Sequence, residues 1–284
     1  MRNATIRLLV ESGARADDFA ALREGAQALG AHLSVLVLGA LPRMPVYAGG
    51  AAEYGVVAFP QDWSDEIAAA EAELAASAVS LREELAREGC SAEVEILLAE
   101  PAALGAAIAR RALLCDLVAM SDGLRDGDGA VVAAAQSALF HMPAGLLVNG
   151  ARQPRALQPR RVLLAWNSGL PAARAAHAAL PLLRAAAEVT VAVFDPVATT
   201  LRDGENPGSD MARWLSHHGC RVEVQQYPGG GAEIGRAILD RARERAADLI
   251  VMGAWEHSRM RELILGGTTR TMMAQTEHPV LFAH

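Results

Sequence analysis

The chain has 284 residues, 52% hydrophobic and 21% charged, with 33 acidic against 26 basic side chains and a net charge of −7. That balance belongs to a folded protein long enough for two ordinary domains, and it excludes disorder. The acidic surface offers no footprint for nucleic acid or anionic lipid, and all the basic residues are Arg, so a Walker lysine, a Schiff base and every Ser-Lys mechanism are excluded.

The N-terminus runs from Met1 into a strand with no signal-peptide pattern. The first 150 residues then alternate short apolar runs with amphipathic segments. Strands are expected at Ile6 to Val10, Leu33 to Leu38, Glu93 to Leu97, Leu117 to Met120 and Gly145 to Val148. Helices are expected at Asp17 to Leu29, Ser64 to Arg87, Ala102 to Leu114 and Val131 to Leu139, where apolar residues recur at helical spacing. A Gly-, Ala- and Pro-rich stretch, Pro42 to Asp62, stands out as an insertion. Ser121 to Ala130 sets Asp122, Asp126 and Asp128 against one Arg125; it reads as a solvated Asp-Gly turn and lacks the closing Glu of an EF-hand, so no metal site is expected.

Asn149 to Pro159, with Gly150, Pro154 and Pro159, reads as a linker between domains of residues 1–150 and 159–284. Beyond it, strands are expected at Arg161 to Trp166, Glu188 to Phe194, Arg221 to Gln226, Leu249 to Met252 and Val280 to Ala283. Helices are expected at Leu170 to Ala186, Met211 to His218, Ala232 to Ala246 and Thr268 to Gln275. No apolar run reaches about 18 residues without a charge, so no membrane span is expected. Cys90, Cys115 and Cys220 are an odd count without metal spacing, which suits a reducing cytoplasm.

The second half repeats the first. Gly89-Cys90-Ser91-Ala92-Glu93-Val94 returns as Gly219-Cys220-Arg221-Val222-Glu223-Val224, an offset of 130, and Asp116-Leu117-Val118-Ala119-Met120 returns as Asp248-Leu249-Ile250-Val251-Met252, an offset of 132. His141-Met142-Pro143 then answers His278-Pro279, with the prolines 136 apart. Matches in one order mark a duplicated domain. Short apolar strands between helices mark a parallel sheet covered on both faces, so two doubly wound α/β domains are expected in tandem, as twin sandwiches rather than one continuous sheet.

Open α/β sheets take ligands beyond the carboxyl ends of their strands. In the second copy, Gly253 ends the fourth strand, Gly266 and Gly267 let backbone N–H groups approach an anion, and Thr268 and Thr269 open a helix whose positive end faces the same place. His257, Arg259, Arg261 and Arg270 add donors for phosphate oxygens. The matching segment of the first copy is acidic and four residues shorter, so no phosphate seat is expected there.

The run Ala247 to Gly253, the glycine loop after it and the closing His278-Pro279-Val280-Leu281-Phe282 resemble the universal stress protein family, and the doubled chain resembles its tandem members. The resemblance implies Rossmann-like domains and a cytoplasmic stress-response protein. It also implies an adenine nucleotide, AMP or ATP, held in the second domain without catalysis. The family motif of Gly, two residues, Gly, nine residues, Gly and a hydroxyl residue keeps Gly253, just after Met252, and Gly266. It has Glu256 at the second glycine and Gly267 at the hydroxyl position, with Thr268 and Thr269 the nearest hydroxyls. Glu256 brings a Cβ and a negative charge toward the phosphates, so ATP is expected to suffer more than AMP. The family's adenosine-contacting Asp falls at Asn167, which keeps a donor and an acceptor, and its base contact falls at Val193 or Phe194. Dimerisation through last strands is implied too, here as an intramolecular pseudo-dimer of Gly145 to Val148 with Val280 to Ala283, leaving room for a homodimer of chains. Two other classes stay open: a scaffold that docks partners through Pro42 to Asp62, and a slow nucleotide hydrolase using Glu256. His257 has no assignable nucleophile and orienting carboxylate.

Overall fold

A computed structural model of the chain describes residues 3–43, 61–90, 92–199, 205–228, 233–254 and 267–284. The apolar runs of the first half form β1 (Thr5–Glu11), β2 (His32–Ala40), β3 (Glu93–Ala99), β4 (Leu117–Met120) and β5 (Gly145–Val148). Those of the second form β6 (Arg161–Trp166), β7 (Glu188–Phe194), β8 (Val222–Tyr227), β9 (Leu249–Gly253) and β10 (Val280–Ala283). Between them lie α1 (Ala20–Ala28), α2 (Gln61–Arg87), α3 (Pro101–Arg111), α4 (Asp122–Arg125), α5 (Gly129–Ser137), α6 (Leu170–Ala185), α7 (Ser209–His217), α8 (Ile234–Glu244) and α9 (Gly267–Ala274).

All ten strands belong to one sheet, ordered β3-β2-β1-β4-β5-β10-β9-β6-β7-β8. This corrects the expectation of two separate sandwiches. Within each half every pairing is parallel, while β5 and β10 pair antiparallel, Leu147 opposite Leu281. The last strand of each half would otherwise present an open edge, and each covers the other. The order reads the same from both edges, so the halves are related by a pseudo-twofold axis between β5 and β10, and the carboxyl ends of their strands lie on opposite edges of the sheet.

Strand register aligns the copies residue by residue. Thr5 pairs with His32 as Arg161 pairs with Glu188, an offset of 156 with no insertion between. Ser34 pairs with Glu93 as Thr190 pairs with Glu223, and Ile6 with Leu117 as Val162 with Leu249, which reproduces the offsets of 130 and 132. The third match is two residues out. Val118 pairs with Leu146 as Ile250 pairs with Val280, so the true offset is 134 and Pro279 corresponds to Gly145, not Pro143. A His-Pro-like string at a strand entrance is too short to hold register against the hydrogen-bond ladder.

One face of the sheet buries apolar residues of α1, α2, α6 and α7, such as Leu22, Leu81, Leu183 and Leu215. The other buries those of α3, α5, α8 and α9, such as Ile108, Ala135, Ile238 and Met272. Both cores run through the two halves without a break, so the halves fold as one three-layer body. Cys90 and Cys220 are buried in the first of these cores, and burial pushes both thiols up, away from reactivity. The Asp-Gly turn is found at Asp126 to Asp128, exposed as expected, but it is preceded by a short helix α4: Ser121 caps it by accepting from Leu124 N–H at 3.0 Å, and Glu11 at the end of β1 accepts from the Ser121 hydroxyl at 2.6 Å. Among the described residues no helix is long and apolar enough to cross a membrane.

Candidate ligand-binding site

β6 sits between β9 and β7. The chain leaves β6 for α6 on one face of the sheet, and the helix that follows β9, α9, lies on the other. The carboxyl ends of β6 and β9 are therefore the switch point of the second half, where neighbouring loops part and leave a crevice.

Asn167 directly follows β6 and is exposed at this crevice; its Oδ1 accepts from Gly169 N–H at 3.2 Å, and Ser168 turns the chain with φ 59°. That Asx turn feeds the N-terminus of α6. Of the two candidates on β7, Val193 is 1% exposed in the core beneath α6 and α7, whereas Phe194 is half-buried, its ring stacked on Tyr227 at 5.3 Å between centroids. Met252 is buried in the opposite core.

Gly253 has a structural duty independent of any ligand. A Cβ there would stand 2.5 Å from the Ala172 backbone nitrogen and 2.6 Å from the Pro171 carbonyl carbon. The first turn of α6 thus rests directly on the end of β9, and only a residue without a side chain fits.

α9 opens with Gly267 exposed, Thr268 half-buried and Thr269 buried. Its first N–H groups have no partners within the helix and lie at its positive end. α8 begins close by: a Cβ on Gly235 would meet the Thr271 Cβ at 2.8 Å and the Thr268 carbonyl at 3.3 Å. Glu233, the residue before α8, accepts a hydrogen bond from the Thr271 hydroxyl and stands 3.8 Å from the position a Gly267 Cβ would take. A carboxylate therefore lies against the first turn of the helix expected to receive phosphate. No sequence motif marks Glu233, because the contact joins two helix starts separated by more than thirty residues. Glu256, His257, Arg259, Arg261 and Gly266 lie outside the described residues; Arg270 is exposed on α9.

The equivalent edge of the first half carries a different chemistry. The offset of 156 places Glu11 where the second half has Asn167, a carboxylate that motif reading passed over. A cavity of about 350 Å³ opens beside it, lined by Ser12, Leu74, Leu98, Val131 and the carboxylates of Glu11, Glu73 and Asp128, with no Arg among the described residues of its wall. Each of those carboxylates is engaged: Glu11 with Ser121, Glu73 with Ser12 at 2.9 Å, and Asp128 with the Ala130 N–H at 2.7 Å as the cap of α5. On α4, Arg125 pairs with Asp126, holding that carboxyl below its ordinary range, while burial pushes Asp122 up. Such an edge repels phosphate.

Comparison with known proteins matches the family model "Universal stress protein family" to residues 159–284. A stretch of 67 residues is 39% identical to the universal stress protein Slr1230 of Synechocystis, covering 24% of this chain and 22% of that relative, so the chain spans under a quarter of its length in that match. Among solved structures, a universal stress protein from Archaeoglobus fulgidus superposes over 100% of this chain and 99% of its own with a TM-score of 0.64 at 18% identity. A universal stress protein of Pseudomonas aeruginosa covers 99% of this chain and 92% of its own with a TM-score of 0.56 at 16% identity. The structural likeness establishes the fold over the whole chain.

Proposed function

Residues 159–284 belong to the universal stress protein family and the first half repeats its fold, making the chain a tandem member, and on that premise we propose that it is a cytoplasmic stress-response protein whose second half holds an adenine nucleotide without turning it over. What supports this reading is the topology: β6, which Asn167 follows, and β9, which Gly253 ends, are neighbours whose following helices lie on opposite faces, the switch point that open α/β sheets use for nucleotides. Asn167 supplies a donor and an acceptor for the adenosine part, Phe194 an apolar ring edge, and the first-turn amides of α9 at Gly267 and Thr268 a cradle for phosphate. Glu233 narrows the choice: its negative charge beside that cradle disfavours a triphosphate more than a monophosphate. The first half keeps the fold and lends its last strand, so the β5·β10 pairing stands in one chain for dimerisation between two.

Thermal-shift titration with AMP, ATP and ATP plus Mg²⁺, run beside a phosphate-release assay, tests the reading. At about 100-fold excess over Kd, ligand linkage stabilises by about 2.7 kcal/mol, readily seen as a rise in Tm. The expected result is a saturable rise without phosphate release. A flat profile for all three ligands rejects binding, and sustained release makes the protein an enzyme.

A further inference from the structure

The pseudo-twofold axis gives each groove of one half a counterpart in the other, and one such pair is unequal. In the first half the surface of α1 is covered by the linker after β5. Leu157 packs over Gly25, its Cδ1 3.3 Å from where a Cβ would stand, the Ala151 carbonyl accepts from Leu22 N–H at 3.1 Å, and Arg155 reaches Asp248 at 3.7 Å. Ala151, Ala156 and Leu157 are buried there, so the linker seals this groove as a run of tight turns, Ala156 N–H donating to the Gln153 carbonyl and Gln158 N–H to that of Arg155, each at 3.1 Å.

The counterpart groove lies on α6 and is open. Offsets of 156 and 132 make Pro181 the equivalent of Gly25, Ala178 that of Leu22 and Asp116 that of Asp248. These residues, with Asn3, Ala144 and His177, line a groove of about 520 Å³, a volume in the range of ligand sites. Its floor is reshaped: Ala178 for Leu22 removes three carbons and Pro181 for Gly25 adds three, so the room for an aliphatic side chain lies over Ala178, beside Pro181. Two of its groups can accept from a bound segment, the Asp116 carboxylate and the His177 carbonyl. Asp116 accepts from Thr5 N–H at 2.8 Å but, unlike Asp248, has no Arg paired with it among the described residues. Pro181, inside α6, has no N–H to give the His177 carbonyl one turn earlier.

We infer that this groove docks a turn-forming peptide segment of a partner protein, one presenting Arg to Asp116 and, two residues on, an aliphatic side chain over Ala178. The template is the chain's own Arg155-Ala156-Leu157 in the sealed groove, and the complementary charge is already in place at Asp116. The docking site exists only because two copies are joined: its walls come from the strand entrances of the first half and from a helix of the second. Its lining shares no residue with the β6·β9 crevice, and docking there needs no nucleotide.

A fluorescein-labelled peptide with the sequence of residues 150–159, titrated onto the full chain and followed by anisotropy, tests the inference. Saturable binding is expected. Asp116→Asn should weaken it about two- to fivefold, the range of an exposed ion pair, and so should Glu in place of the Arg before Ala-Leu in the peptide. Ala in place of the peptide's Leu should weaken it about tenfold. The two peptide variants keep the test valid even where a protein variant folds poorly. No saturation at millimolar protein, or affinity indifferent to Asp116→Asn and to both peptide changes, overturns the inference. Dimerisation of the chain alone, seen by sedimentation and abolished by the peptide, overturns it in favour of a second copy as the occupant.

Discussion

Gly253→Ala separates two reasons for a glycine at the end of β9. If the glycine serves only a ligand's approach, the unliganded protein should not notice a methyl group. The packing says otherwise: the added Cβ would lie 2.5 Å from the Ala172 nitrogen, 2.6 Å from the Pro171 carbonyl carbon and 2.8 Å from the Pro171 Cβ. Two of these are backbone atoms at the start of a helix pinned on the sheet, so relief requires α6 to move as a body. Overpacking of this kind costs about 1–3 kcal/mol, and contacts this short belong at about 3. For a chain of this size that lowers Tm by about 5–10 °C. Gly129→Ala is the control, since a Cβ there meets nothing within 4 Å and the position lies in the first turn of α5. It should be neutral or gain up to about 1 kcal/mol from helix propensity. Urea unfolding of both variants without ligand measures the difference. A Gly253→Ala protein as stable as Gly129→Ala would refute the packing argument and return the glycine to the ligand alone.

Three further outcomes are expected. Asn149 adopts φ 56° and its side chain bridges the halves, donating to the carbonyls of Gln275 at 2.6 Å and His278 at 3.3 Å while accepting from Arg125. Asn149→Ala loses these bonds and leaves Ala in a left-handed conformation, so urea unfolding should show a loss of about 3 kcal/mol. Burial raises the Asp122 pKa; an acid with a raised folded pKa contributes most in acid and loses that contribution as pH rises through the folded value. Asp122→Asn should therefore raise the urea midpoint at pH 7, with the gain shrinking as pH falls through the raised pKa; an equal effect at both ends would contradict burial as the cause. Glu233→Gln removes the carboxylate against the first turn of α9, and calorimetry should find ATP tightened about two- to fivefold with a smaller gain for AMP, since the charge is exposed and screened.

The strands were legible because each is a short apolar run whose limits are set by its own residues: β4, β5, β6, β7 and β10 fall where the runs of Leu, Val and Ile place them. Helices with one apolar stripe, such as α8, were equally plain. What escaped reading depends on partners distant in sequence. α4 is held by Glu11, 110 residues away, which anchors the Ser121 cap, and nothing local separates Asp122 to Arg125 from the Asp-Gly turn that follows it. The register of β10 is set by the ladder on β9 and β5, so a His-Pro string could mislead by two residues. The pairing of the two last strands is expected from the family resemblance and is found; what the twin-sandwich expectation misses is that this pairing joins all ten strands into one sheet. At the candidate site, Asn167 and Gly267 are named from the family resemblance, whereas Glu233 and the first-half Glu11 emerge only when helix starts and strand ends are brought together. The linker read as a polar connector, yet Leu157 and Ala156 are buried in the core.

Isothermal titration of AMP into the full chain, with stoichiometry as the readout, bears on the proposal more than any other experiment. Saturation at one nucleotide per chain, abolished by Gly267→Glu and untouched by Glu11→Gln, is the expected result. Two equivalent sites, a single site lost with Glu11→Gln, or no heat at any concentration would contradict a second half that alone retains the seat.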